Sequence, residues 1–454
     1  RTWNVWWVSF VEHVSGTLSG SSQIRVFVSG GGAEISTYDA LAQRFGPNDQ
    51  SFAYVRRYGA TTSTYERVFP DGTREIFNAP DNPAAPTRVF LSQRIDPQGN
   101  AVNFTYDANM RLVSVVDTIG QTTTLSYENA DIWKITRVTD PFGRFCALSY
   151  NAAGELENVT DVIGLTSSFR YDDAQFVTNL ITPYGTTTFA KVMGASSWDR
   201  QLTATDPQGD KECVEYAEPI TIPDGFVGIK PPASVQVGSS NVLFLAENAR
   251  MEYRNSFYWS KMAMREAPGD RAKAKNYRWY TDLYWLITPV IEAIKEPLEE
   301  RVWFNYPGSS ESGASGFPCY MGGGQRPTKT LRFLDGSGTV QLEQRYYNSL
   351  GNTTLTVDPL GRSTSYLYAS NNVDLLEIRQ TVGTTNAVLK KSAYNAQHLP
   401  TNVVDIAGQT NKFTYNARGQ LLTLINPKGE TTTYTYDANG YLLSVDGPLP
   451  GAVD

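Results

Sequence analysis

Residues 394–447 read YNAQHLPTNVVDIAGQTNKFTYNARGQLLTLINPKGETTTYTYDANGYLLSVDG, and Tyr394, Tyr415 and Tyr436 fall 21 residues apart within them. Each period has two halves. One is a turn, Asp405…Gly408 or Asn426-Pro427-Lys428-Gly429, and a tyrosine follows seven residues after its glycine. The other half starts at that tyrosine and reads Tyr-Asp/Asn-Ala-x-Gly, then a Leu/Val run to the next Asp or Asn.

The same unit recurs upstream. Asp-Pro-x-Gly appears at Asp96–Gly99, Asp140–Gly143, Asp206–Gly209 and Asp358–Gly361, with looser copies at Asp117…Gly120 and Asp161…Gly164. The spacing of seven holds for Gly99–Tyr106, Gly120–Tyr127, Gly143–Tyr150, Gly164–Tyr171, Gly209–Tyr216, Gly361–Tyr368, Gly408–Tyr415 and Gly429–Tyr436. Asp bonds the backbone two residues on, Pro presets φ, and Gly closes the turn. Two residues before each tyrosine stands an apolar group: Phe104, Leu125, Leu148, Phe169, Val214, Tyr366, Phe413 and Tyr434. Residues i and i−2 share one strand face, so each Gly-to-Tyr segment is predicted to be a half-buried strand with an aromatic stripe. Copies of the other half are YNAAGELENVTD at 150–161 and YDANMRLVSVVD at 106–117, where Met110 replaces the glycine. Tyrosine spacing is 21 for 106→127 and 150→171, but 23 for 127→150, where Asp131–Lys134 lengthen the turn. Two short strands and two tight turns leave no room for a crossover helix, so successive strands pair antiparallel. Strand twist makes such a long meander curl.

These motifs resemble the Rhs/YD-repeat family, which includes bacterial Rhs polymorphic toxins, the B and C components of Tc toxins and the YD shell of teneurins. The resemblance covers about 96–216 and 331–446. It implies a mainly β fold: a continuous antiparallel meander of ~21-residue repeats spiralling into a hollow shell that encloses a C-terminal toxin. The expected organisation is a divergent β segment of the shell at 1–95, repeats at 96–216, an irregular and helical insertion at 217–330, and repeats at 331–454. Two hairpins are expected within the first segment, at 23–35 and at 65–77 with its turn at Asp71-Gly72. In the insertion, helices are expected within Asn255–Asp270, over Arg271–Tyr280 behind Asp270 as cap, and over Val290–Arg301 opened by Thr288-Pro289.

The chemistry-bearing residues are few. The two histidines, His13 and His398, stand in separate segments, which argues against a Ser-His-Asp or Cys-His site. Cys146, Cys213 and Cys319 form no CxxC or metal spacing, and no cofactor or metal is expected. Gly30–Gly32 lack the following Gly-Lys-Ser/Thr of a phosphate loop. The repeat aspartates read as turn formers. A net charge of −7 argues against nucleic acid as a partner. The apolar run at 283–294 carries Pro289 and Glu292 and is no membrane span. The leading reading is a non-enzymatic, monomeric, secreted or cell-surface bacterial shell, whose partners are the rest of a longer polypeptide and an enclosed toxin or cargo. The alternative is a surface adhesin or carbohydrate-binding module using the tyrosine stripe. A third is an enzyme with a carboxylate site.

Overall fold

The computed structural model describes residues 7–58, 64–194, 199–223, 225–310, 319–322, 324–334 and 336–449. Thirty-four strands join in one antiparallel sheet. The repeats fold as the spacing requires. Gly143 donates its N–H to the Asp140 carbonyl, Asp140 donates to the Arg144 carbonyl, and Gly143 takes φ 81°. That is a type I turn followed by a left-handed residue, the three-residue hairpin loop. The Asp140 carboxylate accepts from the N–H groups of Phe142 and Arg144, both at 2.9 Å.

The apolar residue two before each tyrosine faces an apolar partner on the next strand: Leu148 and Val159, Phe169 and Leu180, Phe413 and Leu424, Tyr434 and Val445. Thr and Ser occupy the other face, with Thr414 and Thr423 hydroxyls 2.6 Å apart and Thr435 and Ser444 likewise. The register slips by one residue immediately before Tyr150, Tyr171, Tyr415 and Tyr436. These recurring bulges add twist to the ribbon. The ribbon therefore curls into a shell and does not lie flat.

Both faces of much of the ribbon remain wet. The chain exposes 24498 Å², whereas a compact monomer of 50.3 kDa exposes about 17,000 Å². The two largest compact cores among the described residues lie in different places, and a smaller one joins Tyr280, Val290, Tyr306 and Tyr320. In the first, residues 10–95 close on themselves. Strands run in order from Phe10–Glu12 through Arg88–Ile95, and the first pairs with the last, Phe10 opposite Phe90. Eight strands enclose a space that side chains just fill. Val11, Ile24, Phe45, Tyr65, Phe77, Val89 and Leu91 fill it, all at most 1% exposed. Both expected hairpins lie in this barrel, with Arg25 opposite Ile35 and Tyr65 opposite Phe77. Strand Arg88–Ile95 is the branch point. Its first half closes the barrel on Phe10–Glu12 and its second half pairs with Ala101–Tyr106, which opens the ribbon.

The second core lies where residues 219–251 cross one face of the sheet as a strap. Phe226, Val235, Val237, Phe244 and Met251 of the strap pack on Phe257, Trp259, Ala293, Trp303, Leu331 and Leu342 of the sheet. The helical expectations for this region need correction. Among the described residues helix is limited to Lys261–Glu266 and a 3-10 turn at Arg271–Lys273. Asn255–Trp259, Lys275–Thr281 and Ile287–Lys295 are strands that continue the sheet. Their inward positions explain the misreading. Asn255, Phe257 and Trp259 alternate inward, as do Asn276, Arg278 and Tyr280, and polar groups at core positions hide a period of two. Pro289 sits where the register to the neighbouring strand slips, a place that needs no ladder donor.

The turn glycines give a testable contrast. Gly143 and Gly361 both have φ 81°, but a Cβ on Gly143 meets open space while one on Gly361 comes 2.7 Å from the Gly238 Cα. Gly143→Val is expected to cost about 1 kcal/mol or more through backbone strain. Gly361→Val should cost more, because it also pushes the strap off the ribbon. Urea denaturation of both variants checks this, and equal midpoints would refute the contact.

Candidate functional site

The feature that defines this molecule is the edge of the ribbon where the tyrosines lie. Each tyrosine hydroxyl reaches back over the neighbouring strand. Tyr106 donates to the Leu91 carbonyl at 2.9 Å, Tyr127 to Leu112 at 2.8 Å, Tyr150 to Ile135 at 2.8 Å and Tyr171 to Leu156 at 2.7 Å. Tyr415 to Pro400 and Tyr436 to Leu421 repeat the bond at 2.9 Å. The separation is 15 residues every time. The tyrosine thus supplies an apolar ring to one face and a donor to a carbonyl at the strand end, which is why phenylalanine does not serve. Burial pushes the Tyr127 hydroxyl up to about 12, so it keeps its proton and donates. Two of the eight predicted positions differ. Tyr216 bonds the Glu218 carboxylate at 2.5 Å, and Tyr368 is half-buried without a bond of this kind.

A second series runs along the same edge. A side chain of one turn donates to a carbonyl of the next turn: Arg111 to Ile132 at 2.8 Å, Lys134 to Gly154 at 2.5 Å, Gln397 to Ala417 at 2.7 Å, Arg418 to Ala438 at 3.0 Å and Gln420 to Gly440 at 2.7 Å. These bonds link turn to turn at right angles to the strands.

The edges also meet each other. Gln98 donates to the Gln397 carbonyl at 3.2 Å, Asn100 to the Arg418 carbonyl at 3.1 Å, and Gln121 to the Tyr441 hydroxyl at 2.9 Å. Asn352 reaches the Pro70 carbonyl at 3.4 Å. The partners are 282 to 320 residues apart. The ribbon has wound through a full coil of about twenty strands, and the tyrosine edge of the later coil sits on the Asp-x-x-Gly edge of the earlier one. At ~4.8 Å per strand that is a circumference of about 100 Å. A ring that wide cannot be filled by its own side chains, unlike the amino-terminal barrel.

The two histidines stand apart from each other. His13 Nδ1 lies 2.9 Å from the Tyr65 hydroxyl, and His398 Nδ1 lies 2.9 Å from Asp374 on the coil seam. The three cysteines are unpaired. Among the described residues no cluster of His, Cys, Asp and Glu could hold a metal ion, and no helix is long and apolar enough to cross a membrane.

A family model described as RHS Repeat matches residues 394–431 and 415–449, the stretch with three tyrosines at 21-residue intervals. Residues 394–449 are Rhs repeats. No curated protein matches it. Among solved structures, it is similar to a Photorhabdus luminescens Tc holotoxin pore at 10% identity, over 94% of this chain and 22% of that chain, with a TM-score of 0.40. It is also similar to TcdB2-TccC3 at 11% identity, over 93% of this chain and 22% of that chain, with a TM-score of 0.43. The chain spans about a fifth of the length of these structures.

With the Rhs repeat defined by its bonds, further copies become visible. Tyr306 donates to the Ile291 carbonyl, again 15 residues back. Seven residues before it stands Glu299, closing the turn Glu296-Pro297-Leu298-Glu299, a degenerate Asp-Pro-x-Gly. Asp282 accepts from the N–H groups of Tyr284 and Leu286, with Trp285 in the left-handed place at φ 68°. Part of the expected insertion is therefore a disguised Rhs repeat. Glu-Pro at the right distance from a tyrosine was the available signal.

The Rhs turns also set a pH dependence. Burial would raise the Asp140 and Asp358 carboxyls, but hydrogen bonds from Arg144 and Arg362 and from turn N–H groups outweigh it and hold both below the usual range. At Asp81 in the barrel the same opposition, with bonds from the Thr87 hydroxyl and three N–H groups, brings the carboxyl down to about 2. A folded value below the unfolded one stabilises above about pH 4, and the gain is lost as pH falls towards about 2. The melting temperature is expected to hold from pH 8 to 5 and to fall between pH 4 and 2. A flat profile in that window would overturn the assignment.

Proposed function

We propose that this chain is a shell segment of a larger Rhs protein that keeps a cargo polypeptide, a toxin in the relatives it resembles, away from solvent and proteases. One observation carries the reading: a single-layer ribbon winds back on itself and seals the seam with side-chain-to-backbone bonds, leaving an interior its own side chains do not fill. The seam contacts are polar, so the wall tolerates water on both sides. The amino-terminal barrel caps the start of the ribbon with a solid core. We assign no catalytic residue, because the repeat aspartates are engaged as turn acceptors. The protein is placed outside the cell or at its surface on the same reading.

Limited proteolysis of the full-length product tests this. Non-repeat polypeptide inside the shell should survive trypsin at neutral pH and be cut once the shell is opened at acid pH. Digestion of that polypeptide at the rate of an unfolded chain, while the shell stays intact, would sink the proposal.

A further inference from the structure

We infer that two aromatic turn tips on the open rim of the shell, at 131–134 and 282–286, seat it on the interface of a neutral phospholipid bilayer. The rim is the tyrosine edge of the earlier coil. The tyrosine edge of the later coil is used in the seam, but these two turns carry no seam contact among the described residues. The turn at 282–286 reads Asp-Leu-Tyr-Trp-Leu, and Ile287 follows it. Tyr284 is 81% exposed and Leu286 65%, and Trp285 and Ile287 are exposed beside them. Its sister turns are Asp-Ala-Asn-Met-Arg at 107–111, Asn-Ala-Ala-Gly-Glu at 151–155 and Asn-Ala-Arg-Gly-Gln at 416–420, small or polar at most of the same places. Four large apolar side chains in a row, turned to water, do nothing for the fold and mark a contact surface.

Trp285 carries a further cost. It takes, at φ 68°, the left-handed place that Gly154, Gly419 and Gly440 take in sister repeats. Strain of that kind persists where a residue serves something other than folding. The other tip is the turn lengthened to give a tyrosine spacing of 23. It presents Trp133 and Ile132, both exposed. Eight strands from Arg137–Thr139 to Lys211–Ala217, then Asn255–Trp259 and Lys275–Thr281, separate the two tips. That is half of one coil. The tips therefore stand on opposite sides of the rim, and a flat surface meets both at once.

The chemistry suits a bilayer interface. Tryptophan and tyrosine rings settle at the level of the headgroups, and leucine and isoleucine reach the acyl chains. Backbone that enters this layer has to find its hydrogen bonds within the protein. At one tip the Asp282 carboxylate accepts from the N–H groups of Tyr284 at 2.8 Å and Leu286 at 2.9 Å, Trp285 donates to the Asp282 carbonyl, and Asp282 donates to the Leu286 carbonyl. At the other, the Trp133 N–H is held by the Asp131 carboxylate and the Ile132 carbonyl accepts from Arg111. A protein partner that adds a strand would need such groups free. An anionic membrane is disfavoured by the net charge of −7. The nearby cations are also engaged: Arg250 lies over the Trp285 ring, Arg254 pairs with Glu292, and Lys134 donates to the Gly154 carbonyl. The inference goes beyond the shell reading. An empty shell would seat on lipid equally well, so failed protection of a cargo leaves it standing.

The experiment floats the whole chain with phosphatidylcholine vesicles on a density gradient, and follows tryptophan quenching by brominated acyl chains. Flotation with quenching is expected. It should persist when salt is raised from about 0.1 to about 0.5 M, because apolar insertion is not screened. Trp285→Gly should weaken binding tenfold or more while raising the melting temperature, since it restores the glycine of the sister turns. A fall in melting temperature would assign the ring to the fold and overturn its role here. Tyr284→Ser with Leu286→Ser, and separately Trp133→Ser, should each weaken binding with an unchanged melting temperature. Tyr184→Ala, an equally exposed ring on the opposite edge, should leave binding unchanged. Vesicles left unbound would overturn the inference, as would binding indifferent to both Trp285→Gly and Trp133→Ser. Binding only to phosphatidylglycerol vesicles, lost at high salt, would overturn the neutral class. Self-association abolished by Trp285→Gly, without flotation, would give the tips to a second copy of the chain.

Discussion

Arg278→Met is expected to lower unfolding stability by about 3–5 kcal/mol, the range for breaking a buried ion pair. Arg278 is fully buried beneath the strap. Its Nε donates to Glu292 at 2.9 Å, and its terminal nitrogens donate to the carbonyls of Ala249 at 3.2 Å, Arg250 at 3.3 Å and Tyr253 at 3.2 Å. Burial pulls the guanidinium down to about 10, with Glu292 opposing, so it is charged at neutral pH. One side chain therefore holds a sheet carboxylate, two strap carbonyls and the Tyr253 carbonyl just beyond the strap. Its loss strands all four, although Arg254 still touches Glu292 at 3.1 Å. Hydrogen exchange should show protection lost first in 219–251. Arg278→Met with Glu292→Leu should recover part of the loss, because neither charge is then left alone. A loss under 1 kcal/mol for the single change would show that the strap is held by its apolar contacts alone.

The second large effect is expected in the barrel. Phe77→Ala removes a wholly buried ring from a closed eight-stranded core, and such truncations cost about 3–5 kcal/mol. The damage should be local. Phe77 shares a cluster with Phe104, Leu112 and Leu125 but with nothing beyond Val138. Exchange should accelerate through residues 10–125, while 145–217 keep their rates. Uniform acceleration along the chain would mean that barrel and ribbon unfold as one unit.

The repeats were legible because their turns demand a left-handed residue, and glycine reports that demand in the sequence. Where another residue accepts the strain, the signal vanishes. Met110, Gln175, Trp285 and His398 all take the glycine's place at φ between 58° and 68°, and only Met110 and His398 were recognisable from their spacing. The strands at 255–305 were lost for a different reason. Their inward positions carry Asn255, Asn276, Arg278 and Asn305, which pattern reading assigns to water, although each is at most 2% exposed. Barrel closure was invisible because it depends on Phe10 meeting Phe90, a pairing that no local rule encodes.

The two ends of the described chain should answer a mechanical load differently. Tension applied at Leu449 acts on strand Leu442–Asp446, which among the described residues has one neighbour, Thr431–Tyr436. Its bonds are loaded one after another, as when a zip is drawn. The strand leaves at low force and hands the load to the next, giving a train of small, similar steps of half a repeat each. Tension applied at Trp7 must draw Phe10–Glu12 from between two neighbours, Gln23–Phe27 and Arg88–Ile95, while it sits on a packed core. That end resists until the barrel fails as a whole. Pulled at these two points, the ribbon yields strand by strand and the barrel holds.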